Sequence, residues 1–129
     1  METSIQIIAA ISFIVIGLSH IFQPRVWVEF FRILREKGEA GIFIVALLHL
    51  PMGALIVAFH NVWHGIPIVL TVIGWGYVLK SLLYFVYPAH GLKMLARVSL
   101  ERSWEFVAGG FFLVVIGGLL TFSIFSANF

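Results

Sequence analysis

GIFIVALLHLPMGALIVAF, residues 41–59, holds no acidic or basic side chain apart from the imidazole of His49. A bilayer hydrocarbon core takes ~20 apolar residues of helix, so this stretch reads as a membrane span. Working outward, three more stretches match it. Residues 4–22 are free of charge, residues 66–87 carry only Lys80, and residues 107–125 are uncharged, with Glu105 just before them. Trp63, Trp104, Tyr84 and Tyr87 lie near span ends, where amphipathic rings favour the interface. Ordinary soluble domains carry ~25% charged residues. This chain of 129 residues is 61% hydrophobic and 11% charged, too little polar chain to cover four such windows in water. Disorder, which needs low hydrophobicity and high charge, is excluded as well. The predicted fold is all-α, a single transmembrane domain over residues 1–129 built as an integral membrane four-helix bundle.

The flanks give this bundle a direction. Arg25, Arg32, Arg35 and Lys37 occupy the first connection, and Lys93, Arg97 and Arg102 the third. The N-terminus, the short connection 61–65 and the C-terminal tail hold no Lys or Arg. By the positive-inside bias both termini are expected on the non-cytoplasmic side, in a bacterial inner membrane. Glu2 precedes the first span in place of a basic residue, and Ser19-His20-Ile21-Phe22 lacks a small-x-small cleavage site, so this span is expected to persist.

The connections are themselves patterned. Pro24 suits the first turn of a helix, and Trp27, Phe30, Phe31 and Leu34 follow at the spacing of one helical face. Arg25, Glu29, Arg32, Glu36 and Lys37 supply its polar side. An amphipathic helix over about 24–37 is predicted between spans 1 and 2. It lies either in the cytoplasmic interface among anionic head groups or as a cap on the bundle. Leu92 and Leu95 beside Lys93 and Arg97 repeat the pattern weakly. Span, proline, basic segment and span thus run over 4–59 and again over 66–125, with Pro24 and Pro88 64 residues apart. This suggests a parallel repeat.

Intramembrane polar groups are the candidate ligand-binding residues, because lipid tolerates them only at a cost. His49 sits ~12 Å along its span, and His60, eleven residues later, falls on nearly the same face ~16 Å away. That separation forbids one shared metal ion. A haem ligand pair needs a second deep imidazole, so haem is expected only if two copies of His49 share it. Lys80 is ~10 Å from the cytoplasmic edge, near the depth of His49. Together they could grip an anionic head group or relay a proton; apart, Lys80 snorkels and His49 bonds a neighbouring carbonyl. Glu105 is a candidate counter-ion for Lys80 or Arg102. His60, Asn61 and His64 either hold a divalent metal or form a tight hairpin, and no carboxylate or thiolate is near to complete a shell; no metal site is predicted. His20 and His90 read as interfacial. Gly109, Gly110, Gly117 and Gly118 form the expected packing seam of the last span, with Gly74 and Gly76 on the third. With no Asp and no Cys, Ser-His-Asp triads, disulfides and thiolate sites are absent. No Gly-rich nucleotide motif occurs, and a net charge of +2 points to no nucleic acid partner.

The stretch Gly17-Leu18-Ser19-His20-Ile21-Phe22-Gln23-Pro24, closing an apolar first helix, resembles the first-span ending of DoxX-like small four-span bacterial membrane proteins. The segment 74–88, with Gly76, Lys80 and Pro88, is similar to that of other proteins of this size. The resemblance implies an accessory or ligand-binding membrane subunit, some such proteins accompanying quinone-linked oxidoreductases, and it transfers no catalytic residue.

Three functional readings follow. The first is a non-enzymatic protein of the bilayer, a homo-oligomer or accessory subunit of a membrane complex. The second is a small transporter or channel with a polar site at His49 and Lys80. The third is a redox subunit holding haem b or a quinone near His49. The orientation is checked directly: a reporter active only outside the cytoplasm, fused after Phe129, should be active, and one active only inside should be silent. The opposite pattern would reverse the topology.

Overall fold

The computed structural model describes residues 1–127. The C-terminus, whose side of the membrane is expected above, lies outside the described residues. Helices α1 (Glu2–Phe22), α2 (Pro24–Glu36), α3 (Glu39–Phe59), α4 (Ile68–Val86), α5 (Pro88–Leu95) and α6 (Trp104–Ala127) follow one another, with a 3-10 turn at Leu100–Arg102. No strand occurs among the described residues. Four helical stretches, Glu2–Phe22, Glu39–Phe59, Ile68–Val86 and Leu100–Ser126, are long and apolar enough to cross a membrane. The third starts later than residue 66 because Gly65, at φ 67, turns the chain and Pro67 caps the helix.

The long helices associate as two close pairs, α1 with α6 and α3 with α4. The pairs meet in one cluster that includes Ala9 and Phe13 of α1, Ile56 of α3, Leu70 of α4 and Leu120 of α6. At the basic end, Leu34 of α2 and Leu95 of α5 join Ile42, Val45 and Tyr84 in a second cluster. The two short helices therefore pack against α3 and α4 at that end, and α2 also touches α1 and α6.

The suspected repeat is visible in this packing. Gln23 (φ −128, ψ 49) and Tyr87 (φ −135, ψ 70) form matching corners, each followed by the proline that opens a short helix. Their amide N–H groups bond the carbonyls four residues back, at 2.8 Å to Ser19 and 2.7 Å to Leu83. A side chain before proline is pushed out of the helical region, and proline suits a first helical position. The glycine contacts obey the same offset. A Cβ on Gly117 would stand 3.1 Å from the Ala10 carbonyl and 2.6 Å from the Ile14 side chain. One on Gly53 would stand 3.1 Å from the Gly74 carbonyl and 3.0 Å from the Val78 nitrogen. Positions 53, 74 and 78 are each 64 residues from 117, 10 and 14. Likewise, Gly17 crosses Gly110 where Ser81 Oγ donates to the Ala46 carbonyl at 3.3 Å.

The four glycines of the last span divide. Gly110 and Gly117 face α1 across a tight crossing, whereas a Cβ on Gly109 or Gly118 would meet nothing within 4 Å. Only half of the expected seam is thus used inside the chain. At Gly110 the added carbon would come within 2.5 Å of the Gly17 carbonyl oxygen. Gly110→Ala should therefore cost about 1–3 kcal/mol, as overpacking does. Gly109→Ala should be neutral or gain up to ~1 kcal/mol of helix propensity. Unfolding of the two variants in mixed detergent micelles checks this, and equal stabilities would refute the crossing.

Candidate functional site

The amphipathic helix α2 folds back onto its own chain. Its Trp27 indole N–H donates to Ser19 Oγ at 2.9 Å, and its ring stacks on the His20 imidazole with centroids 4.1 Å apart. Phe31 stacks on Phe106 of α6 at 5.7 Å, and Val28 and Leu34 are buried. Val26 and Ile33 stay exposed on the outer face. The position is fixed by Arg35, whose guanidinium donates to the carbonyls of Leu95 (3.3 Å) and Val98 (3.0 Å) at the end of α5.

Trp27, Phe30 and Phe31 close one side of a cavity of about 320 Å³ that reaches across all four long helices. Ser12 and His20 of α1, His49 and Met52 of α3, and Tyr77 of α4 supply its polar and polarisable lining. A depression of about 510 Å³ at the other end touches only Met1, Glu2, Thr3, Ala58 and Phe59. That depression is walled by two segments, so a molecule there would remain largely uncovered.

The two imidazoles of the cavity are arranged alike. His49 Nδ1 lies 2.8 Å from the Val45 carbonyl oxygen, and His20 Nδ1 lies 2.8 Å from that of Ile16. A carbonyl only accepts, so each Nδ1 carries the proton, and in the neutral ring each Nε2 presents a lone pair. Neither Nε2 has a partner within the described residues, yet no buried side-chain nitrogen or oxygen there is left unpaired. Both Nε2 atoms are therefore accessible, on residues that line one cavity. His49 also meets Tyr77 edge-on, with centroids 5.1 Å apart.

Counting depth along an isolated helix puts His20 at the interface, and the structure places it in the cavity lining as well. It reaches the cavity because α2 covers the end of α1. The readable signal was Ser12, Ile16 and His20 at four-residue spacing, with an aromatic face following Pro24. Lys80 is not among the residues lining the cavity. Its Nζ lies 5.5 Å from the centroid of the Tyr84 ring, and no hydrogen bond or ion pair joins it to His49 among the described residues. Glu105 pairs with Arg97 at 3.2 Å, in place of Lys80 or Arg102.

His60 is far from His49 in role as well as along the helix. It is fully buried, and both ring nitrogens are engaged. Gln6 Nε2, an amide donor, lies 3.1 Å from His60 Nε2. His60 Nδ1–H then donates to Thr71 Oγ1 at 3.1 Å. Thr71 Oγ1 also accepts from the Val62 amide at 3.1 Å and donates to the Val62 carbonyl at 2.8 Å. One tautomer satisfies every atom, and the network ties α1 to the α3–α4 turn. In that turn the Asn61 side chain bonds the Val57 carbonyl and accepts from Trp75 Nε1. No three His, Cys, Asp or Glu side chains gather in metal-binding fashion among the described residues.

A scan of protein-family models, a search of curated proteins and a search of solved structures each returned no match for this chain.

Burial holds the His60 imidazole below its ordinary value of 6.5. The unfolded chain takes up the proton first as pH falls. The stability contributed by neutral His60 is thus complete above pH 6.5 and is lost as pH drops below it. Between pH 7 and 5.5 the melting temperature should fall. His60→Gln, whose amide can both accept from Gln6 and donate to Thr71, should reduce the slope. An unchanged slope would separate the pH response from this network.

Proposed function

We propose that this chain, a small polytopic membrane protein, is a non-enzymatic ligand-binding or accessory subunit that holds a small ring-shaped molecule in the His20–His49 cavity. The observation that carries this is the pairing of an aromatic-floored cavity with two imidazoles whose Nε2 atoms have no protein partner. Small-molecule sites are mostly apolar clefts of ~300–1,000 Å³ with a few placed polar groups. The cavity is at the small end of that range. It suits a one- or two-ring compound such as the hydroquinone form of a quinone head group; a haem macrocycle is too large for it.

The arrangement in the bilayer belongs to the same proposal. The four long helices form a membrane-spanning bundle with α2 and α5 on the cytoplasmic side, supported by the seven Lys and Arg residues of the connections. The inner face of α2 caps the bundle, while Val26 and Ile33 on its outer face meet lipid head groups. On this reading the two expectations for this helix are compatible. The bare strip at Gly109 and Gly118 supports contact with a second copy or another subunit. A DoxX-like accessory role fits this picture.

Trp27 is the built-in reporter. In a protein whose Trp63, Trp75 and Trp104 are replaced by Phe, a tail-less naphthalenediol absorbing in the Trp emission band should quench the remaining fluorescence saturably. Ser12→Phe, which fills the cavity from α1, should abolish saturation while helical content stays unchanged. Saturable quenching that survives Ser12→Phe would move the site elsewhere.

A further inference from the structure

We infer that the cavity selects a neutral aromatic compound with a hydroxyl donor at each end of its ring system, one donating to His20 Nε2 and the other to His49 Nε2. This rests on the cavity being a binding site, and it goes further by fixing the ligand's hydrogen-bonding sense and charge. Both Nδ1 atoms are committed to backbone carbonyls, at 2.8 Å in each case. What remains on each neutral ring is an acceptor. A ligand carbonyl would set lone pair against lone pair, whereas a hydroxyl satisfies the nitrogen. An acceptor left unpaired on ligand binding would lose its access to water and carry a desolvation cost.

Other ligand classes fit worse. A single metal ion would draw both nitrogens to ~2.1 Å from one point, making the imidazoles near neighbours. Instead the rings nearest His20 are Trp27 (4.1 Å) and Phe106 (5.7 Å), and the ring nearest His49 is Tyr77 (5.1 Å). No ring contact joins the two imidazoles among the described residues, so each acceptor calls for its own donor on the ligand. An anion would find no Lys or Arg in the lining, which contains neither residue type. A flat ring is favoured by the floor of Trp27, Phe30 and Phe31, since stacked and edge-to-face contacts add to apolar burial.

Three redox-inert probes of one ring size test the inference: 2,6-dihydroxynaphthalene, 2-naphthol and 2,6-dimethoxynaphthalene. Each is titrated against the full chain in phosphatidylcholine nanodiscs. The diol should bind most tightly and the diether most weakly, with up to about tenfold lost per hydroxyl removed. His20→Phe and His49→Phe should each lower diol affinity by a similar factor and shrink the advantage of the diol over the diether. Diether binding as tight as that of the diol in the unmodified protein would overturn the donor rule while leaving the cavity as a site. Retention of the diol preference in both variants would overturn the assignment to these imidazoles. Failure of all three probes to bind would remove the cavity reading together with this inference.

Discussion

Where α1 crosses α6, Gly17 and Gly110 stand with no side chain between them, and a carbon added to either would run into the other's carbonyl oxygen. Such crossings matter more in lipid than in water. Lipid tails are as apolar as Leu, so helices gain little from hiding apolar surface and associate through close van der Waals contact instead. The second pair uses the same device at Gly53 and Gly74, the latter facing Ile56. Two tight pairs then leave a single question of packing, namely how one pair rests on the other. At the His60 end they meet directly through Phe13, Ile56, Leu70 and Leu120. At the basic end the contacts run through another element.

That element is the amphipathic connection. Helix α2 begins at the Gln23–Pro24 corner and ends before Gly38, whose φ of 68 suits a residue without a Cβ. Its ends are thus set by backbone chemistry, and its rotation is set by Trp27 on Ser19 and by Arg35 on two carbonyls. The packing is incomplete. Aromatic rings contact α1 and α6 but leave a void toward α3, and that void is the cavity. The site is a product of the connection as much as of the spans.

This explains which features were legible in the sequence. Spans are written as runs of apolar residues, and the face of α2 as Trp27, Phe30, Phe31 and Leu34 at helical spacing. Both signals are local and survive without knowledge of partners. The polar face of α2 could not distinguish lipid from protein beneath the aromatic one, since both are apolar. Depth counting along isolated helices places Lys80 at the height of His49 but does not say which of them lines a cavity. Height carries no information about azimuth between helices, and the cavity lining excludes Lys80 while admitting His20. The glycines show the same limit. Four lie close together on α6, yet only the contact partners on α1 separate Gly110 and Gly117 from Gly109 and Gly118.

Three histidines show how satisfaction of hydrogen bonds divides structure from chemistry in this chain. His60 uses both nitrogens on Gln6 and Thr71, so it has no capacity left for a ligand, and its contribution is to lock α1 onto the α3–α4 turn. His20 and His49 each spend one nitrogen on their own helix and keep the other open. Closing that nitrogen within the protein would have required one more donor, and Ser12 and Tyr77, which share the lining, donate to neither ring. In an apolar surround an open acceptor costs free energy unless something meets it. Two such acceptors on residues of one cavity, beside a third imidazole that is completely saturated, set the chemistry of the two ends of the bundle apart.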